Sequence, residues 1–392
     1  MRKKIALYLS AEPSDGGKYQ YTLSVLKAIE NADLNMYNLY AVYLQKHWEE
    51  KLSPGFEKAQ LRPNNIIVKI FKKLLFTLLP NLGRDLWRIL GKYIDSNHKT
   101  FFDIKPDLIV YPGKDPFIHE IDLPGIIPIF DLMHRYENFP ELNEGNIYSD
   151  RETYYKRLCK YAKAIIVDSN VGKEHVLECY KADGNKIFVL PYCVPPSVAN
   201  LEIKSNTTLR NLTEKFIFYP AQFWQHKNHL GLLEALHILN KQDIFINCVF
   251  VGSKKNYFNQ IIAKIEEYNL IEQIQVLDYV SDEEIVELYT KAVALVMPTF
   301  LGPTNIPQLE AFAFGCPVLT SSIYGIPEQV GSAALLFNPK DSHDIADKIN
   351  LVYHDTNLRM SLIAEGSRLN IKYSQGNFNL KLLDIINQIL YI

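Results

Sequence analysis

The sequence predicts an α/β protein with two Rossmann-like, doubly wound domains that face each other across a cleft. Short apolar runs alternate with longer amphipathic runs along the whole chain, a pattern typical of parallel sheets covered by helices. The alternation forms two successive series. The length of 392 residues also suits two domains, at about 100–200 residues per domain.

Each series supplies six candidate strands, and amphipathic segments between them are the candidate helices. The strands of the first series are Lys4–Leu9, Tyr37–Leu44, Asp107–Tyr111, Ile126–Phe130, Ala164–Asp168 and Lys186–Leu190. Those of the second are Phe216–Pro220, Asn247–Val251, Ile274–Leu277, Ala294–Met297, Pro317–Thr320 and Leu335–Phe337. The clearest helical patterns are Tyr19–Glu30, Asn228–Leu239, Asn256–Tyr268 and Asp282–Ala292.

A linker is expected at Cys193–Thr213, where prolines precede a polar stretch of serine, asparagine and threonine. Such a composition suits an exposed joint between domains. We therefore predict an N-terminal domain over residues 1–198 and a C-terminal domain over residues 214–376. In doubly wound sheets, ligands bind in the crevice at the carboxyl ends of the strands.

Composition excludes several classes of protein. Lys+Arg number 42 and Asp+Glu 44, and the formal net charge of -2 argues against a nucleic-acid binder. The five cysteines are scattered without a C-x-x-C pair, which argues against a disulfide framework or zinc site and favours the cytoplasm. The sequence has no run of about 18 apolar residues without a charge, so no transmembrane helix is expected.

The loop from Pro298 to Ala311 follows an apolar strand and opens a helix. Its glycine, prolines, threonines and asparagine suit a loop whose backbone N–H groups face an anion. Glu310 is expected in the first turn of that helix, where its carboxylate can accept hydrogen bonds from a ribose diol. The alternative is that Glu310 only complements the helix dipole.

Three further loops follow predicted strands. Lys227 precedes a helix that Asn228 can cap, and its ammonium can lie beside a diphosphate; a solvated lysine is the alternative. Gly16 and Gly17 allow close approach of the backbone to a ligand, or simply a turn. Asp131 can face the cleft and contact a sugar hydroxyl or the acceptor, or it can cap a helix.

Together these loops resemble the retaining GT-B glycosyltransferases of family 4. The run Leu277–Tyr289 is similar to the stretch of that family between the donor-base region and the next strand. Ser321–Gly331 is similar to the loop after its glutamate-bearing helix, and Gly16-Gly17 and Asp168-Ser169 match its N-terminal domain. The resemblance covers nearly the whole chain and is strongest over Phe216–Pro339.

The resemblance implies a metal-independent transfer of a hexose-type sugar from a UDP- or GDP-linked donor, with no other cofactor. The acceptor is expected to be a glycan or a lipid-linked glycan in surface polysaccharide biosynthesis. Residues 377–392 are expected to pack back on the N-terminal domain. The implied donor-binding residues are Gly16, Gly17, Gln222, Thr304 and Asn305 (the last two through backbone amides) and Glu310, and the implied catalytic residues are Lys227 and Asp131.

Three residues depart from the pattern of the family. Gly302 stands where a glutamate contacts the donor sugar, Gln222 where an arginine pairs with the lysine, and Phe130 where a histidine often precedes the aspartate. Two alternatives therefore remain open. One is a non-catalytic protein that binds a sugar nucleotide, and the other is a GT-B sugar-nucleotide epimerase.

A basic, apolar segment lies in the first half of the chain. Between Arg62 and Lys105 there are nine Lys/Arg and three acidic residues, and Ile66–Leu79 is apolar with lysines interspersed. Residues 66–92 could form a peripheral contact with an anionic membrane. Because apolar residues would lie on nearly every side of this helix, an ordinary helix packed on the sheet is the favoured interpretation.

Overall fold

The computed structural model of the protein describes residues 2–196, 212–278 and 280–391. Most of the predicted linker Cys193–Thr213, including the domain boundary at residue 198, therefore lies outside the described residues. So does Tyr279, within the run that resembles the glycosyltransferase family.

The N-terminal domain is built on a parallel sheet of seven described strands, in the order β3-β2-β1-β4-β5-β6-β7. The strands are β1 (Lys3–Leu9), β2 (Tyr37–Tyr43), β3 (Phe56–Gln60), β4 (Leu108–Val110), β5 (Gly125–Pro128), β6 (Ala164–Val167) and β7 (Ile187–Val189). The helices are α1 (Gly17–Glu30), α2 (Ile66–Leu78), α3 (Leu82–Ile94), α4 (Ser96–Ile104), α5 (Phe117–Glu120), α6 (Pro140–Asn143), α7 (Ile147–Tyr161) and α8 (Asn170–Tyr180).

Both faces of this sheet are buried, because successive side chains of a strand point to opposite faces. In β1, Ile5 and Leu7 join one apolar cluster and Tyr8 joins another. Nearly continuous apolar strands are the consequence, as expected for a parallel sheet covered by helices.

The C-terminal domain has a second parallel sheet, of six described strands in the order β10-β9-β8-β11-β12-β13. The strands are β8 (Phe216–Pro220), β9 (Asn247–Val251), β10 (Ile274–Leu277), β11 (Ala294–Met297), β12 (Val318–Ser321) and β13 (Ala334–Phe337). The helices are α9 (His229–Asn240), α10 (Phe258–Glu267), α11 (Asp282–Lys291), α12 (Ile306–Ala313), α13 (Ile326–Val330), α14 (Ser342–His354) and α15 (Thr356–Lys372).

The last helix, α16 (Gln375–Tyr391), crosses back to the N-terminal domain. Phe378, Leu382 and Ile386 are buried in the same apolar cluster as α1. The Gln375 side-chain amide also donates to the Ser24 carbonyl oxygen at 2.9 Å. Apolar burial thus ties the end of the chain to its beginning.

The predicted α/β class with two parallel sheets is confirmed, and all twelve predicted strands are present within one or two residues. The edge strand β3 was not predicted. Only Phe56 of its five residues is buried, so it lacks the apolar run that marks the other strands. An edge strand needs fewer apolar residues because neighbouring strands do not enclose it.

Candidate functional site

Two adjoining cavities lie between the domains, where the carboxyl ends of both sets of strands meet. Their volumes are about 240 and 270 Å³. Both are bordered by Phe130 and Tyr192 of the N-terminal domain and by Lys227, Thr304 and Asn305 of the C-terminal domain. A cleft between domains is a common place for a small-molecule site.

Lys227 lies in a 3₁₀ turn between β8 and α9. Its carbonyl oxygen accepts a hydrogen bond from the Tyr219 hydroxyl at 2.8 Å, and Asn228 caps α9 by accepting from the Gly231 N–H at 3.2 Å. The predicted cap is therefore confirmed. The turn holds the lysine at the point where both cavities meet.

The Lys227 ammonium has no hydrogen bond or ion pair with any residue that the structure describes. Burial lowers its pKa to about 8, an effect that the nearby carboxylates of Asp131 and Glu141 partly offset. A partly buried cation without a partner is costly. Its position on the cleft therefore favours binding of an anion.

The loop between β11 and α12 is folded tightly around Gly302. This residue has φ of +108°, and a Cβ added there would lie 2.8 Å from the Asn305 side-chain nitrogen. The positive φ therefore favours glycine, and an added side chain would have to displace the Asn305 amide. The Asn305 Nδ2 atom is buried and has no hydrogen-bond partner among the described residues.

The backbone amides expected near a diphosphate are engaged by protein groups. The Asn305 N–H donates to the Gln329 side-chain oxygen at 3.0 Å. The Thr304 hydroxyl donates to the Asp168 carboxylate, and the Thr304 backbone also hydrogen-bonds to it. Burial raises the pKa of Asp168 to about 6, although these hydrogen bonds oppose the rise. The loop thus holds a carboxylate of the other domain.

Glu310 is the fifth residue of α12, in the second helical turn and not the first. Its carboxylate accepts a hydrogen bond from the Tyr289 hydroxyl at 2.7 Å. Burial raises its pKa to about 7, and the hydrogen bond from Tyr289 only partly opposes the rise. The position contradicts a simple role in complementing the dipole, which acts at the first turn.

Gln222, which stands where the resemblance implies an arginine, follows β8. Its side-chain oxygen accepts a hydrogen bond from the Trp224 indole N–H at 2.8 Å. Neither Gln222 nor Glu310 is among the described residues that border the two cavities.

The N-terminal domain contributes Gly16, Gly17, Phe130 and Asp131. Gly16 has φ of +58° and leads into α1, whose first residue Gly17 borders one cavity. Asp131 borders the other cavity, where it accepts the Met133 N–H at 3.0 Å and pairs with Arg151. Asp131 therefore faces the cleft, and the alternative of a helix cap is wrong, because the N-cap of the short turn that follows is Leu132.

Contacts across the cleft include residues that the sequence did not single out. Glu141 pairs with His226 and accepts its backbone N–H at 3.0 Å. Burial opposes ionisation of Glu141, but the hydrogen bonds from His226 hold its pKa at about 2. Glu328 accepts the Asn170 backbone N–H at 3.1 Å, at the start of α8. These pairs are distant in sequence, so no local pattern indicates them.

Comparison with known proteins agrees with this architecture. Residues 201–368 match the family described as "Glycosyl transferases group 1". A glycosyltransferase from Rickettsia africae superposes with a TM-score of 0.66 at 18% identity, covering 100% of this chain and 99% of that one. HepE from Anabaena, in complex with UDP and glucose, gives 0.70 at 15% identity, covering 99% and 100%. The protein has the GT-B fold.

Relatives of similar sequence are named as mannosyltransferases. The O-antigen chain mannosyltransferase B of Escherichia coli is 25% identical over 269 residues, 64% of this chain and 70% of that protein. The O-antigen chain mannosyltransferase RfbU of Salmonella typhimurium is 26% identical over 195 residues, 49% and 52%. The alignment with the Escherichia coli mannosyltransferase WbdA covers 62% of this chain but only 31% of that longer protein.

Two features of the described residues are relevant to the metal and membrane predictions. Within residues 2–196, 212–278 and 280–391, no three His, Cys, Asp or Glu side chains are grouped so that they could hold a metal ion. None of the helices in those ranges is both long and apolar enough to cross a membrane.

Proposed function

We propose that this GT-B protein is a retaining glycosyltransferase that moves a mannose-like hexose from a UDP- or GDP-linked donor to a growing glycan. The observation that carries the proposal is Lys227, whose ammonium borders the cleft without a partner among the described residues. Support comes from the match of residues 201–368 to group 1 glycosyl transferases and from relatives named as O-antigen mannosyltransferases.

In the proposed reaction, the bond between the anomeric carbon and the donor phosphate breaks while the acceptor oxygen bonds to that carbon on the same face. The acceptor proton passes to the departing phosphate oxygen. Lys227 stabilises the negative charge that develops there, so the proposed mechanism needs no metal. Preorganised donors aimed at developing charge are usually the largest catalytic contribution.

The Thr304 hydroxyl and backbone amide complete the phosphate site in this proposal. They now contact Asp168, a carboxylate of the other domain. A donor diphosphate offers the same donors a stronger acceptor, since it carries more charge than one carboxylate. Donor binding therefore displaces Asp168 and rearranges the contact between the domains.

Glu310 is proposed to bind the donor ribose, and Asp131 with the Gly16–Gly17 turn to position the sugar and acceptor. Asn305 takes the place of the missing carboxylate near Gly302, because its unpartnered amide nitrogen needs a hydrogen-bond acceptor such as a sugar hydroxyl. The five free cysteines favour a reducing cytoplasm for this reaction. The acceptor is proposed to be a glycan or lipid-linked glycan of a surface polysaccharide.

A thermal-shift screen against UDP, GDP, ADP, CMP, dTDP and their common sugars tests the donor site. A ligand that binds only the folded protein raises its melting temperature by mass action. One selective hit would support the site and identify the base. No shift with any nucleotide, in folded protein, would contradict the proposal.

Donor consumption with and without a saccharide acceptor then separates the reactions. Transfer requires the acceptor, whereas an epimerase converts the sugar nucleotide without one. Binding of the nucleotide with neither activity across an acceptor panel would favour a non-catalytic protein.

A further inference from the structure

Helix α2 presents an apolar face to solvent. None of its residues is buried, and six large apolar side chains are between 47% and 74% exposed: Ile66, Ile67, Ile70, Phe71, Leu74 and Leu78. At 3.6 residues per turn, they fall within an arc of about 140°. This differs from the favoured expectation of a helix packed on the sheet.

Helix α3 extends the same surface. Leu82, Ile89 and Tyr93 are more than half exposed. Gly83 allows the two helices to approach closely, because a Cβ there would lie 2.5 Å from the Leu75 carbonyl oxygen. We call the exposed apolar side of these two helices the α2–α3 face. Contiguous exposed apolar surface of this kind marks an interaction site.

The opposite side of the hairpin is anchored to the domain. Trp87 is fully buried, Lys72 pairs with Glu120, and Arg88 contacts Asp122 at 3.0 Å. These anchors fix which side of each helix faces outward. The exposure of the α2–α3 face is therefore a consequence of packing and does not come from a loosely attached helix.

The charges beside this face are positive. Lys69 and Lys73 are exposed next to the apolar arc of α2 and have no ion pair with any described residue. The acids of the hairpin are engaged elsewhere: Asp85 accepts from Arg157 at 2.8 Å, and Asp95 caps α4. The face thus combines apolar area with unpaired cations, although the whole chain has a formal net charge of -2.

We propose that the α2–α3 face docks on an anionic membrane surface. An apolar face flanked by lysines is the arrangement by which a helix lies in the headgroup region of a bilayer. A two-fold dimer through the same face would bring this patch against a copy of itself, with no acid on it to pair with the lysines. The charge pattern therefore favours anionic lipid over a second copy.

Sedimentation of the full chain with phospholipid vesicles tests this docking. The wild-type protein is expected to co-sediment with vesicles that contain phosphatidylglycerol, and less so with pure phosphatidylcholine. Lys69→Glu/Lys73→Glu should weaken partitioning by about fivefold or more for each lysine. Ile67→Glu/Leu74→Glu should weaken it by at least about tenfold. Leu380→Glu, at an exposed position of α16, is the matched control and should bind like wild type.

Three results would overturn the proposal: no binding of the wild type to anionic vesicles, binding by both double variants equal to that of the wild type, or a wild-type dimer in light scattering that Ile67→Glu/Leu74→Glu dissociates. The last would assign the face to a second copy. Nucleotide-induced thermal shifts should be unchanged in these variants. If the wild-type protein bound vesicles but no nucleotide, that result would contradict the proposed transferase but not the membrane docking.

Discussion

The two domains have the same kind of sheet but contribute opposite chemistry to the cleft. Most of the described side-chain hydrogen bonds across it join a carboxylate of the N-terminal domain to a donor of the C-terminal domain. The pairs are Asp168 with Thr304, Glu141 with His226 and with Asn256, and Glu137 with Tyr324. Glu328 with Asn170 is the reverse case.

This asymmetry indicates how the two sides of the cleft are held together. The C-terminal domain carries the donors suited to an anionic ligand, and carboxylates of the N-terminal domain occupy some of them. We infer that an incoming diphosphate competes with those carboxylates. Lys227 is the exception, because its ammonium pairs with no described residue. A substitution of Lys227 should therefore have the largest effect on the binding of an anionic ligand.

Removing the unpaired cation should have the largest effect. Lys227→Ala should lower turnover by about 10²-fold or more, since a donor aimed at the developing charge is lost. Steady-state kinetics with the donor found by thermal shift measures the change. Lys254→Ala, at an exposed lysine of the same domain, should behave like wild type. Turnover near wild type in Lys227→Ala would remove the proposed role.

The tight loop of the C-terminal domain should be nearly as sensitive. Gly302→Ala forces a side chain into a positive-φ conformation and against Asn305, so it should cost about 1–3 kcal/mol of stability and weaken donor binding. Gly331→Ala has a similar backbone strain, with φ of +50°, but open space around the added carbon. Equal loss in both variants, measured by urea unfolding, would show that the Asn305 contact is unimportant.

The pH dependence of donor binding should connect the two domains. Lys227 has a pKa of about 8 and must be protonated to bind a diphosphate. Affinity should therefore fall as pH rises through 8, by up to about tenfold per pH unit. Asp131 raises the pKa of Lys227 from across the cleft, so Asp131→Asn should shift the fall to lower pH. Calorimetry with a nucleotide sugar measures the affinity at each pH. If Lys227→Ala showed the same fall in affinity with pH as the wild type, the fall would not come from Lys227.

The smallest effect is expected at Glu310, where stability and binding should change in opposite directions. Its pKa is raised to about 7 in the folded protein from an ordinary value of 4.5. The folded state therefore holds the proton more tightly, and stability falls as pH rises between those values. Glu310→Gln keeps a hydrogen-bond acceptor for Tyr289 but removes this fall. At pH 8 it should be more stable than wild type, with weaker donor binding.

Urea unfolding at pH 5 and pH 8 measures the effect, with Glu272→Gln as the control at an exposed glutamate. If the stability difference between Glu310→Gln and wild type were the same at both pH values, the burial of an ionised carboxylate would not be the cause.

The sequence determined the two sheets and the loops that border the cleft. Strands such as Phe216–Pro220 are marked by apolar runs that local burial requires, and Lys227 and Gly302 follow strands whose carboxyl ends define the binding edge. The sequence indicates the start of α12 less well. The helix begins at Ile306, so the prediction that Glu310 lies in its first turn was wrong. Helix ends are weakly marked because one hydrogen bond more or less changes the free energy little.

Only the tertiary structure decided which groups meet across the cleft and which helical side stays exposed. Asp168 and Thr304 are 136 residues apart, and no periodic pattern relates residues at that distance. The sequence of the apolar segment 66–78 is likewise compatible with an outer side that packs against another element and with one that faces solvent. Burial depends on the neighbours that a residue acquires on folding, so the sequence of that segment alone could not show that no described element covers the α2–α3 face.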